Sequence, residues 1–551
     1  MKISIRRWRC IFLRSALALA FVPVATIAQT SVSSVDAKAL PVAFTWATVA
    51  NSGDDIPGST RRFNSFNQPS VNAAGVVVIR ARSKGGQGAG EPLRGIYSRQ
   101  MGAAASPLSV VFDTLTTIPQ PNNILYSDQL GTFTEFPAFP RIGLANSTIV
   151  TRAQSKPVWK YLLPDGSETR TGTSGVYAMR SGERVSAGAQ LGAVPGFDHY
   201  SVPGATPGTK FDQFPGSPAV ANTNAVVFKG NYTDGVSKTG IFFRPFNPSG
   251  KQAKTQVIAS SDTLIPGQPA GGVRFGSTAP PSAADSDAVF LGLDNEATPT
   301  LGGIYRAALA TIPKLQTLVS IGEQVPGEQV GTTFSRLGEA LSYDGRFVAF
   351  WGAWGSGTRA VTLYCPADGQ SAVLAFCRNQ YPDGLTVQIP VNQGFFVHDT
   401  QTRKTYPVVK TGGEYLDFLY WVFSGRPPGV GDSESEDFED PRWRSAAFAA
   451  TYGQGGKAQV AFKARKPTEP VTDGIYLAVA PSSTSTYRTV VETNMGATLI
   501  DPLAPAGAAV TAVGIERDGL RNGWLAITAS MLDATTSESW AGVYVTRTDG
   551  K

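Results

Sequence analysis

His199 and Tyr200 are two neighbouring residues of this 551-residue chain that could move protons together. They lie in the stretch 196–204, between two Pro-Gly turns. A histidine can act as general base and a tyrosine as general acid. Such a pair would suit β-elimination on a uronic-acid glycan, where the proton beside the carboxylate is removed and the leaving oxygen is protonated. The alternative, an ordinary loop histidine, stays open.

Metal chemistry has few candidate ligands in this sequence. The chain has two histidines, which excludes a three-histidine centre. The second, His398, ends a strand-like segment, and we expect it to be structural. Oxygen ligands suit Ca²⁺, and an acidic run supplies Asp432, Glu434, Glu436 and Asp437. The run lacks the spacing of an ordered calcium loop, so a solvated insertion is the alternative. No cofactor is required.

Tryptophans and cysteines supply two further candidates. Exposed indole faces stack on sugar rings, which makes Trp354 and Trp443 candidate ligand contacts, with burial between strands as the alternative. Cys365 and Cys377 are the two cysteines beyond Cys10. An oxidising compartment favours a local disulfide between them. A metal pair is the alternative, but no histidine or further cysteine lies nearby.

The N-terminus indicates where the protein works. Five basic residues precede an apolar run over 15–24 and a small-residue site at Ala28: Lys2, Arg6, Arg7, Arg9 and Arg14. This pattern predicts a signal peptide over 1–28, followed by a linker over 29–41. We expect a periplasmic or secreted protein, with general secretion favoured over the twin-arginine route.

Without the leader, 43 basic and 42 acidic residues remain. The near-neutral balance argues against a nucleic-acid partner. No later segment reaches the ~18 apolar residues of a membrane span. Glycine (59) and proline (38) are abundant, whereas charged residues make up only 16% of the chain, which is typical of an all-β fold.

One short pattern recurs seven times along the chain: a glycine, an aliphatic or aromatic residue, then an aromatic residue. The glycines are Gly95, Gly175, Gly240, Gly303, Gly394, Gly474 and Gly542. An apolar strand-like segment precedes each copy, and Pro-Gly turns separate several of the repeats. A unit of this size must stack on its neighbours to bury both faces.

Seven such units predict an all-β, seven-bladed β-propeller of mostly four-stranded blades over 42–551. An open β-solenoid is the alternative, although its repeats are normally shorter. The two longest intervals indicate insertions near 365–390 and 424–445.

Two stretches resemble known repeats. The segment 72–79, Asn-Ala-Ala-Gly-Val-Val-Val-Ile, resembles the Asn-x-x-Gly-x-x-Ala-Phe tandem repeat of secreted bacterial proteins. Asn224 stands where this repeat has its glycine and still tolerates a left-handed backbone. The segment 342–350 is similar to the blade motif of TolB-type propellers. The resemblance implies a propeller scaffold and carries over no catalytic residue.

Two functions follow as expectations. The first is an exported, monomeric propeller that binds an extracellular glycan or protein through its central funnel and loops. The second is a polysaccharide lyase using His199 and Tyr200, since some secreted propellers are lyases. The position of the histidine discriminates between them, because a lyase needs it in the funnel with an arginine within reach of a sugar.

Overall fold

The structure is a computed structural model. It describes residues 40–550 with these exceptions: 86–89, 103–105, 121–130, 156–158, 163–167, 172–173, 223, 247–252, 368–370, 426–440 and 483–486. The predicted signal peptide and most of the linker lie outside the described residues. So do the four acidic candidates, Asp432, Glu434, Glu436 and Asp437.

Seven antiparallel sheets form the fold, one for each predicted repeat. The first four blades contain these strands, with β10 and β11 as a separate hairpin: β2 (Phe63–Phe66), β3 (Ser70–Val71), β4 (Val76–Ser83), β5 (Arg94–Gln100), β6 (Ser109–Asp113); β7 (Phe133–Glu135), β8 (Arg141–Ile142), β9 (Ile149–Ser155), β10 (Trp159–Leu162), β11 (Glu168–Thr171), β12 (Ser174–Arg180), β13 (Glu183–Ala189); β14 (Ala219–Ala221), β15 (Ala225–Asp234), β16 (Val236–Pro245), β17 (Gln256–Ser260); β18 (Ser277–Thr278), β19 (Ser282–Ala284), β20 (Asp287–Leu293), β21 (Gly302–Ala308), β22 (Gln316–Ser320).

The last three blades contain the following elements, with β28 and β29 as a second separate hairpin and β1 (Ala47–Asn51) completing blade seven: β23 (Phe334–Leu337), β24 (Ser342–Tyr343), β25 (Phe347–Leu363), α1 (Ser371–Gln380), β26 (Leu385–Asp399), β27 (Lys404–Lys410); β28 (Tyr420–Ser424), β29 (Arg442–Ala446), β30 (Ala449–Gln454), β31 (Lys457–Lys466), β32 (Thr472–Ala480), β33 (Arg488–Glu492); β34 (Ala509–Gly514), β35 (Leu520–Arg521), β36 (Trp524–Leu532), β37 (Ser539–Arg547). Short 3-10 turns cover Asp198–Tyr200 and Ala497–Leu499. The sequence did not predict α1, which lies within the insertion near 365–390.

The inner segments of the seven sheets form a closed ring. β3, β8, β14, β19, β24, β30 and β35 contact one another in this order, and β35 contacts β3 again. The N-terminal strand β1 pairs with β37 and is the outermost strand of blade seven. The fold is therefore a seven-bladed β-propeller whose last blade is completed by the start of the chain, a closure that the repeats alone did not predict.

The recurring sequence pattern marks the third strand of every blade. In six blades the aromatic residue of the pattern meets a second aromatic ring edge-on, with centroids 4.8–5.3 Å apart, as in Phe63 and Tyr97. At Gly95, Gly240, Gly474 and Gly542 the aromatic side chain lies over the glycine and leaves no room for a Cβ. A Cβ on Gly95 would be 2.6 Å from the Tyr97 hydroxyl. The pattern thus encodes the blade core.

The two faces of the propeller carry different sets of connections. We call "upper" the face that carries the links from each second strand to the third and from each outermost strand to the next blade. The lower face carries the other links, which include two- to four-residue turns such as 72–75, 285–286 and 522–523.

Asn72 explains the resemblance to the tandem repeat. Its side-chain oxygen accepts hydrogen bonds from the amides of Ala74 and Val76, and its amide donates to the Asn146 carbonyl of the next blade. Asn224 has φ of 59°, which agrees with its predicted left-handed backbone. The motif is therefore a lower-face turn that also joins neighbouring blades.

Charged side chains cross the propeller axis. The turn that joins β34 to β35, Glu516–Gly519, is the axial turn. Arg141 of blade two is fully buried and donates from Nη1 to Asp518 (2.8 Å) and from Nη2 to Glu516. At the same register the inner strands of other blades have small residues: Ser70, Ala219, Ser282, Ser342 and Ala450. One blade therefore contributes a long cation that fills the axis.

The axial turn and the nearby Arg521 form hydrogen bonds with most blades of the ring. Its Asp518 carbonyl accepts the Val71 amide of blade one, and Ser342 of blade five donates to the Arg517 carbonyl. Arg517 itself donates to the Pro280 carbonyl of blade four, and Arg521 to the Thr451 carbonyl of blade six. Burial alone would raise the pKa of Asp518, but the charges of Arg141, Arg521 and Arg517 lower it. The network closes the axis at this level.

Replacing Arg141 by alanine should destabilise the propeller strongly. Glu516 and Asp518 would remain buried without their shared cation, which costs about 3–5 kcal/mol. The free energy of unfolding from urea titration measures the effect. Arg62→Ala is the control, because its ion pair with Asp55 is exposed and contributes less than ~1 kcal/mol. Equal losses in the two variants would contradict this account of the axis.

Candidate functional site

The upper face presents most of the exposed apolar surface. Thirteen large hydrophobic side chains are exposed in the described part of the chain. Eleven lie on upper-face connections or strand ends: Leu115, Val236, Val273, Val330, Tyr364, Val391, Val422, Val471, Leu499, Leu503 and Leu532. Ile312 lies on the lower face, and Val42 precedes β1. Long loops on a rigid scaffold, bearing apolar side chains, are typical of a recognition surface.

Described residues in and beside the two predicted insertions lie together on this face and are here called the lobe. β25 and β26 continue beyond the blade, from Thr358 opposite Pro390 to Leu363 opposite Leu385. Cys365 and Cys377 form the predicted disulfide, which ties α1 to this hairpin. The β28–β29 hairpin lies beside it, with the Phe423 ring 6.0 Å from that of Tyr381. The lobe comprises these two hairpins and α1.

Buried Asp417 anchors the lobe to the propeller. Its carboxylate accepts from the Arg359 guanidinium (2.8 Å), which belongs to the extended hairpin. The same carboxylate accepts from the Gln393 side chain and from the amides of Phe418 and Leu419. A carboxylate with this many donors fixes the base of the lobe.

His199 and Tyr200 lie at the outer edge of the propeller, between blades two and three. Tyr200 is buried and donates to the Ser186 carbonyl of β13, the outermost strand of its sheet. The guanidinium of Arg244 lies over the Tyr200 ring, 4.2 Å from the centroid. His199 is 5% exposed, and its carbonyl accepts from Thr255. The pair is therefore packed against a blade and does not face the axis.

The environment of His199 keeps its imidazole uncharged. Burial, reinforced by the charge of Arg244, lowers the pKa of His199 to about 4. His398 is also buried, and burial lowers its pKa to about 4. Its Nδ1 lies 3.0 Å from the Thr405 hydroxyl of β27, which fits the structural role expected for it.

The two tryptophan candidates lie in different environments. Trp354 is 5% exposed and packs in the blade core beside Phe396, which leaves no open indole face for a sugar. Trp443 lies in the lobe with its ring against Phe423 (5.3 Å). Tyr364, at 71% exposure, is an open aromatic ring of the upper face that the sequence patterns did not single out.

Metal ligands are not clustered in the described residues. No group of three or more histidine, cysteine, aspartate or glutamate side chains there is arranged to hold an ion. In the same part of the chain, no helix is long and apolar enough to cross a membrane.

A groove of about 560 Å³ opens between blades six and seven on the upper face. Its lining combines charged, polar and apolar groups: Arg465, Pro470, Val471, Asp473, Thr493, Asn494, Val510 and Thr511. The volume lies in the range of small-molecule sites, about 300–1,000 Å³. Arg465 donates from Nε to Asp473 (2.9 Å), so these two charges compensate each other.

Lys463 is a second cation near the groove, although it is not one of the lining residues. It precedes Arg465 by two residues on β31, so both side chains leave the strand on the same side. The ammonium is 3.7 Å from the centroid of the Tyr420 ring, and the Arg465 guanidinium approaches the same ring at 5.1 Å. Among the described residues no carboxylate forms an ion pair with Lys463. Burial, with a smaller contribution from Arg465, lowers its pKa to about 8 against the opposing charge of Asp473.

The sheets and this surface define a seven-bladed propeller with a closed axis and a loop-bearing face. No protein-family model matches the sequence, and no curated protein matches it. Several solved structures align with it at low identity. An oligogalacturonate lyase in complex with manganese has 8% identity over 81% of this chain and 98% of its own, with a TM-score of 0.32.

Two further solved structures show the same level of similarity. A Trypanosoma rangeli sialidase has 11% identity over 81% of this chain and 60% of its own, with a TM-score of 0.32. The propeller domain of the Trilobed protease from Pyrococcus furiosus has 11% identity over 58% and 82%, with a TM-score of 0.21. At these values the likenesses carry no argument about function, and the fold rests on the sheets of this chain.

The low pKa of His199 predicts acid lability. The native imidazole binds a proton more weakly than the unfolded one, so stability is complete above pH ~6.5 and falls as the pH drops towards 4. From pH 7 to 4.5 this residue should account for about 2–3 kcal/mol of lost unfolding free energy. Urea titrations at both pH values should show a smaller loss in His199→Phe. An identical loss in variant and wild type would contradict the assignment.

Proposed function

We propose that this protein is an exported, non-catalytic propeller that binds an extracellular glycan or protein on its upper face. The observation that carries the proposal is the asymmetry of the two faces. Long connections, the lobe and eleven exposed hydrophobic side chains share the upper face, whereas short turns dominate the lower one. A disulfide within the lobe is consistent with an oxidising, extracytoplasmic compartment.

The closed axis directs the proposal to the loops. The expected funnel would meet a floor of buried ion pairs at the level of Arg141 and Asp518. Recognition therefore belongs to the groove between blades six and seven, the lobe and the connections around them.

Binding is favoured over the lyase alternative by the position of His199. A general base must reach the proton that it removes, and this side chain is buried at the outer edge between blades two and three. The lyase would require the pair His199–Tyr200 in the funnel.

Substitutions on opposite faces test the proposal. The double variant Tyr364→Ala, Val422→Asp changes two exposed residues of the upper face, and Ile312→Asp changes one exposed residue of the lower face. Affinity electrophoresis against neutral galactan and xylan, polygalacturonate and alginate measures glycan binding. We expect the double variant to lose about tenfold in affinity, near 1.4 kcal/mol, and Ile312→Asp to bind as wild type.

Two results would overturn this function. The first is a ligand whose binding is lost in Ile312→Asp but kept in the double variant. The second is ultraviolet absorbance of an unsaturated sugar product that appears with wild type and disappears in His199→Ala, which would establish the lyase instead.

A further inference from the structure

The groove between blades six and seven has an arrangement suited to a charged sugar. Its rim is apolar at Pro470 and Val471, which matches the C–H face of a sugar ring. Thr493, Asn494 and Thr511 offer hydroxyl and amide groups for sugar hydroxyls. The volume of about 560 Å³ accommodates a small ligand.

Charge decides which kind of sugar fits. Arg465 and Asp473 form an ion pair and cancel locally. Arg359 likewise pairs with Asp417, and Lys466 with Glu492. Lys463 is a further cation of this region, and no carboxylate of the described residues forms an ion pair with it.

The Tyr420 ring holds the Lys463 ammonium without neutralising it. A cation 3.7 Å from an aromatic centroid is attracted by the ring but keeps its full charge. Burial makes that charge unfavourable and therefore lowers the pKa of Lys463. An anion placed near it would restore a favourable environment for the ammonium and gain a charge-assisted hydrogen bond.

We propose that the groove between blades six and seven is the binding site for an anionic saccharide, with Lys463 as the group that selects its carboxylate or sulfate. The apolar rim receives the ring, and the threonine and asparagine side chains bind its hydroxyls. This inference rests on the proposed function and names the ligand class of one part of the upper face.

Two lysines on one strand provide a matched test. Lys463→Met removes the positive charge but keeps an unbranched side chain against the Tyr420 ring. Lys466→Met removes a charge from the same strand on the side of Tyr415 and Tyr476, away from the groove. The probes are polygalacturonate, a chondroitin sulfate and neutral galactan, measured by affinity electrophoresis, with circular dichroism to verify folding.

We expect Lys463→Met to weaken binding of an acidic probe by about tenfold or more, and Lys466→Met to change it by less than about twofold. Polygalacturonate and chondroitin sulfate distinguish carboxylate from sulfate as the preferred group. Any binding of galactan should be equal in all three proteins.

The inference is overturned if the wild type binds neither acidic probe, or if both lysine variants lose affinity equally. If the wild type binds galactan alone and the double variant Tyr364→Ala, Val422→Asp abolishes that binding, the anionic site fails while the proposed function stands. If the wild type binds a glycan that only Ile312→Asp abolishes, the proposed function fails as well.

Discussion

The buried ion network at the axis is the interaction on which the propeller depends. Seven blades leave a space at the centre of the ring, and this chain fills it with Arg141 and the axial turn. Residues of blade seven form hydrogen bonds with residues of blades one, two, four, five and six. Because the charges are fully enclosed, each must keep its partners, and this requirement fixes the relative positions of the inner strands.

Closure at the axis has a consequence for recognition. Here the ion network closes the axis at the level of Arg141, and the connections of the upper face are available for recognition. The upper face provides them in the lobe, in the groove between blades six and seven and in the long links between blades. On the lower face, turns such as that of Asn72 form hydrogen bonds within the turn and with the neighbouring blade.

Much of the blade architecture could be predicted from the sequence, whereas the candidate site could not. Gly95 and its six counterparts mark the third strands because the pattern is local: in four of them a ring two residues later lies over the glycine. Cys365 and Cys377 could be paired because they are close in sequence. His199, Tyr200 and Trp354 were candidates because of their residue type alone, and the structure shows that all three side chains are buried. No sequence pattern singled out Lys463, because its environment is formed by residues of several strands.

The number of blades and the identity of their second and third strands follow from the sequence, since each depends on contacts within one repeat. The contacts between residues of different repeats are set by the tertiary structure. Arg141 and Asp518 are 377 positions apart, yet they share a hydrogen bond at the axis. β1 joins the far end of the chain in the last blade. Local patterns cannot specify such pairs, because their partners are selected by closure of the ring.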